Sequence, residues 1–303
     1  MPTHDRSPII LNINGEITPA DRAQVSVFDR GYLYGDSLYE VVRSYNGVFL
    51  HLDEHLARME KSAALCRMVM AHTAESLRKE VLRTFDAFRS KHRGEAYCRI
   101  IISRGAGKIG FGLNCLETPT LYTIIIQPVE TPPASQYEQG LHLQISERLR
   151  NDSRALDPAM KSGNYLNSLL AYLDASSLNY DDALLCNADG HVTEGTTFNV
   201  FYVHRGILCT PPLDIGILDG ITRRRVLTLA QGLGIEVREV RFPRERLYES
   251  DEIFVSSSIK EVMAVTKLDQ KLISKGKPGP VTRKLLVKYR EEITQLTGAR
   301  GKS

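Results

Sequence analysis

Short apolar runs alternate with turn residues over the first fifty positions: Ile9–Ile13, Val25–Phe28, Leu38–Val42 and Val48–Leu50, with Asn14-Gly15 and Asn46-Gly47 between them. Asn-Gly accepts positive φ at both central positions of a tight hairpin, so this stretch predicts an antiparallel meander. From His51 the spacing changes to three and four, first through Leu52, Leu56, Met59, Ala63 and Cys66 and then through Leu77, Val81, Phe85 and Phe88. That is the period of two amphipathic helices. Tyr97–Ser103 and Leu121–Gln127, rich in Ile, Val and Tyr, read as buried strands joined by a glycine-rich loop from Gly105 to Gly112.

These elements make a small α+β domain over residues 1–127. Pro128, Pro132 and Pro133 mark 128–137 as an interdomain linker, and 138–303 reads as a larger mixed α/β domain. Its strands are expected at Leu141–Ile145, Ala183–Asn187, Asn199–Val203, Ile235–Val240 and Glu252–Val255. Its helical stripes run through Leu166, Leu169, Leu170 and Leu173, then Val226, Leu229, Ala230 and Leu233, and finally Leu285, Leu286, Tyr289, Ile293 and Leu296.

Charge narrows the choice of partners. Thirty-nine basic against 36 acidic side chains leave a net +3, with no basic stripe of the kind nucleic acid requires. The run Arg223-Arg224-Arg225 at a helix start is expected to be solvated surface. Five cysteines, Cys66, Cys98, Cys115, Cys186 and Cys209, are odd in number and never closer than 17 residues, which suits a reducing compartment rather than a disulfide framework. No apolar run is long enough to span a bilayer, and His4, Asp5 and Arg6 lead into no secretory stretch. A cytoplasmic protein without membrane or nucleic-acid partners is expected.

The chain has no Gly-x-Ser-x-Gly elbow, no HExxH pair, no P-loop and no metal-ligand spacing among its eight histidines. Gly105, Gly107 and Gly110 spell GxGxxG, but the loop precedes a strand, whereas a dinucleotide needs a helix amino terminus there. Two segments suit an anion better. Asp219-Gly220-Ile221-Thr222 leads into a helical stripe and Ser256-Ser257-Ser258 follows a strand, so both offer N–H groups and hydroxyls. Lys161, just ahead of a helical stripe, is a candidate nucleophile if its surroundings help it lose a proton.

Taken together, these pieces resemble the fold-type IV pyridoxal-phosphate enzymes, the family of branched-chain and D-amino-acid aminotransferases and aminodeoxychorismate lyase. The resemblance rests on Asp29-Arg30-Gly31-Tyr32-Leu33-Tyr34-Gly35-Asp36, the segment His55–Ala63, Lys161-Ser162-Gly163-Asn164-Tyr165-Leu166, Glu194-Gly195-Thr196-Thr197-Phe198-Asn199, Leu218–Arg223 and Ser256–Glu261, in that order along nearly the whole chain. It implies a two-domain fold with the active site between the domains, pyridoxal 5'-phosphate as cofactor, and a homodimer or higher homo-oligomer acting on an amino acid and a 2-oxo acid. Lys161 is implied as the catalytic residue that bonds the cofactor and carries the proton. Glu194 is implied at the pyridine nitrogen, Tyr165 at the phenolic oxygen, Leu218 on a ring face, and Arg58, Ile221, Thr222, Ser257 and Ser258 around the phosphate.

Substrate residues are implied at Tyr39, Val41, Arg43, Tyr97 and Arg99. Tyr97-Cys98-Arg99 and the loop from Arg104 to Gly110 are similar to branched-chain enzymes, in which the arginine serves the distal carboxylate of glutamate. Tyr39-Glu40-Val41-Val42 is closer to D-amino-acid enzymes, although their Arg-x-His trap is absent. The expectation is a transaminase between a branched-chain L-amino acid and 2-oxoglutarate. D-amino-acid transamination is the alternative, followed by the lyase, against which Glu40 stands in place of a small hydroxyl residue, and by a non-catalytic cofactor carrier.

Overall fold

The structure, a computed structural model, describes residues 9–298; the amino-terminal His4, Asp5 and Arg6 lie outside them. The chain divides into two compact units. One takes the chain up to Glu130 together with Met160–Asn164 and the segment from Leu296; the other takes Thr131–Ala159 and Tyr165–Gln295.

In the first unit, β1 (Ile10–Ile13), β2 (Glu16–Pro19), β3 (Ser37–Tyr45), β4 (Val48–Phe49), β5 (Ala96–Ser103) and β6 (Leu121–Pro128) form an antiparallel sheet in the order β2-β1-β6-β5-β3-β4. Both Asn-Gly hairpins form as expected, with φ of 50° at Asn14, 93° at Gly15, 51° at Asn46 and 73° at Gly47. After the short helix α1 (Arg30–Tyr34) come α2 (Leu52–Leu65) and α3 (Ala74–Arg89), which cover one face of the sheet. Leu56, Met59, Val81, Phe85 and Phe88 pack there with Val42, Cys98, Ile100, Ile124 and Ile126 in one apolar core. Strand periodicity sends alternate residues away from that core: Tyr97, Arg99 and Ile101 of β5 are partly accessible while Ala96, Cys98, Ile100 and Ile102 are buried.

In the second unit, α4 (Ala134–Gln139) precedes β7 (Leu141–Leu149), α5 (Leu166–Ser177), β8 (Asp182–Cys186), β9 (Val192–Gly195), β10 (Asn199–His204), β11 (Ile207–Thr210), α6 (Ile221–Gly232), β12 (Val237–Glu239), α7 (Glu245–Tyr248), β13 (Glu252–Ser257), β14 (Glu261–Leu268), β15 (Lys271–Leu272) and α8 (Pro280–Gly298), whose residues from Leu296 belong to the first unit. The strands form a mixed sheet in the order β12-β11-β10-β13-β14-β7-β8-β9, with β15 paired to β14. Leu143, Val192, Val200, Ile253, Val255, Met263 and Val265 belong to its core.

Several sequence expectations change here. The first fifty residues are not a sequential meander, because β1 pairs with β6, and Val25–Phe28 forms no strand and leaves Val25, Val27 and Phe28 exposed. The leucine stripe of α5 points outward, with Leu166 65% exposed, and the helix buries Ser168, Ala171 and Ala175 instead. Small side chains let this helix lie close to β7 and β8. Two prolines do not prevent α4, since Pro133 sits at its N-cap, a position that needs no N–H. Arg223 is not solvated surface. It is 2% exposed, donates to the Pro211 carbonyl at 2.8 Å and pairs with Glu239.

Truncating the buried Arg223 opens a cavity and leaves the Pro211 carbonyl without its donor, whereas Glu239 is 45% exposed and stays solvated. Arg223→Ala should therefore lower stability by about 3 kcal/mol, whereas Arg224→Ala, at a half-exposed contact to Asp219, should cost less than about 1 kcal/mol. Urea unfolding midpoints of the two variants check the difference.

Candidate functional site

Lys161 is held by the backbone of the first unit's sheet. The Tyr39 N–H donates to the Lys161 carbonyl at 3.0 Å, Leu38 bridges Ser162, and the Gly163 N–H donates to the Ser37 carbonyl at 2.7 Å. Residues 161–163 thus add a short antiparallel stretch to β3, and the Lys161 N–H is further fixed by the Ser62 hydroxyl of α2 at 3.2 Å. Lys161 Nζ comes to 4.3 Å from the centre of the Tyr39 ring, and the Arg99 guanidinium lies 4.0 Å from the same ring.

The register explains why these groups meet. Tyr39 stands opposite Ile101, Val41 opposite Arg99 and Arg43 opposite Tyr97. Residues two apart share a face, so Tyr39, Val41, Arg43, Tyr97 and Arg99 all lie on the side of the sheet away from α2 and α3. The Arg99–Tyr39 contact is a diagonal cross-strand pair.

Glu40, between Tyr39 and Val41, points the other way and is fully buried. Its Oε1 accepts from Arg58 Nε at 2.7 Å, and its Oε2 accepts from Arg58 Nη2 and from His55 Nδ1, both at 2.7 Å. Burial alone pushes a carboxyl pKa up, but here the Arg58 charge and the bonds from Arg58 and His55 prevail and hold it at about 2. Burial lowers the His55 pKa, as do the Arg58 and Lys161 charges, against the upward pull of Glu40. A carboxylate only accepts, so the neutral imidazole carries its proton on Nδ1.

The second unit builds a separate cluster around Glu194, buried at the end of β9. Its Oε1 receives Arg150 Nη2 at 2.9 Å and Nε at 3.1 Å, and its Oε2 receives the Leu218 N–H at 3.0 Å. Asn199 Nδ2 donates to the Leu218 carbonyl at 3.0 Å and reaches Glu194 at 3.4 Å, so one carboxylate and one amide fix the turn carrying Leu218. Gly220 is required next, because a Cβ there would stand 2.0 Å from Asn199 Oδ1. Ile221 and Thr222 open α6, whose first turn receives no side-chain cap.

Ser257 ends β13 opposite Glu261, and its hydroxyl accepts the Lys260 N–H at 3.0 Å; Ser258 follows in the turn. Lys260 Nζ lies 3.7 Å from buried Asp182, whose other oxygen accepts the Thr196 hydroxyl at 2.5 Å. Burial pushes the Asp182 pKa up against both partners. Tyr165 stands at the N-cap of α5.

Thus the structure gathers Lys161 with the five candidate substrate residues on one sheet face, Arg58 with Glu40, and Glu194 with Leu218. Sequence reasoning missed Ser62, His55, Arg150 and Asn199 as partners. Asn199 closes the Glu194 motif and was within reach, but Arg150 carries no sequence signal of its own.

The Amino-transferase class IV family model matches residues 37–268. The chain belongs to that family. This aminotransferase is 37% identical over 285 residues, 94% of its own chain and 96% of the relative, to a putative branched-chain-amino-acid aminotransferase of Methanocaldococcus jannaschii. It is also 32% identical over 284 residues, 94% of its chain and 97% of the other, to a D-alanine aminotransferase of Bacillus licheniformis. Among solved structures, the branched-chain amino acid aminotransferase of Thermobaculum terrenum in its PLP-form matches with a TM-score of 0.84 and 31% identity, covering 94% of this chain and 94% of that one. The mixed α/β architecture with two sheets is the fold-type IV architecture that the sequence motifs implied.

Because the Glu40 pKa lies below its ordinary 4.5, its contribution to stability is complete above pH 4.5 and is lost as pH falls toward 2, on the order of 3 kcal/mol in all. Glu40→Gln should flatten the pH dependence of the urea midpoint in that interval by about one proton per molecule. Urea titrations at pH 5, 4 and 3 measure it.

Proposed function

We propose that this class IV aminotransferase carries pyridoxal 5'-phosphate and moves an amino group between a branched-chain L-amino acid and 2-oxoglutarate. The observation that carries the reading is the placement of Lys161 by the backbone of β3, on the same sheet face as Tyr39, Val41, Arg43, Tyr97 and Arg99.

The residues of the second unit fit the cofactor's two polar ends. The uncapped start of α6 offers N–H groups to a phosphate, and Ser256, one residue before the end of β13, holds a buried hydroxyl with no hydrogen-bond partner among the described residues. Glu194 is an ionisable acceptor already oriented by Arg150, suited to an N–H of a pyridinium ring. When bound, pyridoxal phosphate supplies a ring that accepts the electrons released at the amino acid's α-carbon and a carbon that stores the amino group between half-reactions.

In this assignment Lys161 Nζ holds the cofactor and moves the α-carbon proton, so that one group serves as nucleophile and as acid and base. Glu194 keeps the ring nitrogen protonated, Tyr165 bonds the phenolic oxygen and Leu218 covers a ring face. Arg58, Ile221, Thr222, Ser257 and Ser258 bind the phosphate. Tyr97 helps fix the α-carboxylate, Arg99 receives the distal carboxylate of glutamate, and Tyr39, Val41 and Arg43 border the substrate.

We assign the enzyme to the cytoplasm and to a homodimer or higher homo-oligomer. All five cysteines are free, which suits a reducing compartment. The first unit exposes Val25, Val27, Phe28, Tyr32 and Phe111, the kind of surface a second copy covers.

Single-turnover absorbance with a panel of L- and D-amino acids tests the reaction. L-Leucine, L-valine and L-isoleucine should discharge the loaded enzyme faster than D-alanine does; the reverse order would move the assignment to D-amino-acid transamination, the activity named for the Bacillus licheniformis relative.

Arg99→Ala should raise the KM for glutamate and 2-oxoglutarate roughly tenfold or more, the value of a lost charge-assisted bond, with a much smaller change for leucine and valine. Equal effects on both substrate classes would make Arg99 a structural residue, held by its stacking on Tyr39.

A further inference from the structure

An ionised carboxylate at Glu40 is out of keeping with its surroundings. It projects from β3 into the interface with α2, where Val42, Leu56 and Met59 are buried nearby in sequence and share one core. A charge in such a place is tolerated only when every oxygen is bonded. His55 and Arg58, three residues apart on α2 and therefore on one helix face, supply three donors to the two oxygens, each at 2.7 Å. Two parallel N–H bonds to one carboxylate fix the plane of a guanidinium as well as its position. A free arginine side chain samples many rotamers, and here that freedom is already removed.

We propose that Glu40 and His55 are positioning residues for Arg58, and that they preset the guanidinium for the cofactor phosphate without touching the phosphate themselves. The proposal rests on the phosphate-binding role assigned to Arg58 above. Glu40 lowers the net charge of the cluster, which by itself weakens attraction for an anion. The gain is orientation, and orientation prevails because a buried guanidinium without its partner must turn away to find other acceptors.

Glutamine is the discriminating replacement. It preserves the volume of Glu40 but offers one acceptor oxygen and one donor NH2. In either amide orientation one Arg58 nitrogen, Nε or Nη2, faces that NH2, and donor against donor breaks the bidentate pair.

The experiment compares the affinities of the full-length protein, stripped of cofactor, for pyridoxal phosphate and for pyridoxal, which lacks the phosphate. The ratio of the two constants isolates phosphate binding from attachment at Lys161. Arg58→Ala should lower the ratio at least tenfold, and Glu40→Gln should lower it about as far with the pyridoxal constant changed less than about twofold. An unchanged ratio in Arg58→Ala overturns the phosphate role of Arg58 itself. A lowered ratio in Arg58→Ala with a parental ratio in Glu40→Gln overturns the positioning role alone. Should Glu40→Gln fail to fold, His55→Phe takes its place, since it removes one donor and leaves the Glu40–Arg58 pair intact. A ratio about threefold below the parent is then expected, and a parental ratio overturns the proposal.

Discussion

The backbone pairing between residues 161–163 and β3 is the constraint from which the rest of the first unit's chemistry follows. Two main-chain hydrogen bonds, from Tyr39 to Lys161 and from Gly163 to Ser37, set which residue of that segment faces the sheet. A shift of one residue would send the lysine side chain to the other side. Gly163 is part of the same constraint, because a Cβ there would stand 2.2 Å from Ser37 Oγ. The lysine is therefore placed by peptide groups, whose geometry is far less variable than that of side chains.

Three buried charges are held in the same way. Glu40 meets Arg58 and His55, Glu194 meets Arg150 and a backbone N–H, and Arg223 meets Glu239 and a backbone carbonyl. Each is bound by more than one partner, as burial of an ion requires. Glu40 and Glu194 differ in what surrounds them. Glu40 is enclosed within a packed helix–sheet interface and serves another side chain, whereas Glu194 anchors a turn, that of Leu218, leading into the uncapped start of a helix.

How much of this was legible in the sequence depends on how local each cause is. Asn14-Gly15 and Asn46-Gly47 determine their hairpins through their own φ values, and the stripes of α2 and α3 reflect a core that both helices share with one sheet. Strand order is non-local, so the pairing of β1 with β6 could not be read from neighbouring residues. The α5 stripe misled because leucine spacing gives a helix period but not which face turns inward. Alanines and Ser168 occupy the inner face, where a close strand leaves little room. Arg223 misled for the opposite reason, as a charge run looks solvated until a distant acid, Glu239, is brought to it. The motifs around Lys161 and Glu194 were legible as strings, but their partners Ser62 and Arg150 lie 99 and 44 residues away in the chain.

The alternation of β3 and β5 separates two kinds of variation. Leu38, Glu40 and Val42, with Cys98, Ile100 and Ile102, face the core, while Tyr39, Val41 and Arg43, with Tyr97, Arg99 and Ile101, face away. A substitution at Val41, Arg43, Tyr97 or Arg99, which are partly accessible, changes shape and charge on the Lys161 side of the sheet at little cost in packing, whereas one on the inner set, or at buried Tyr39, carries the penalty of a disturbed core. Glu40 is the exception that joins the two, a polar residue in the inner set whose partner Arg58 is a candidate for the cofactor's phosphate. The side chains beside Lys161 are therefore set on one face of the sheet, while Glu40 is held to its place by the packing of the other.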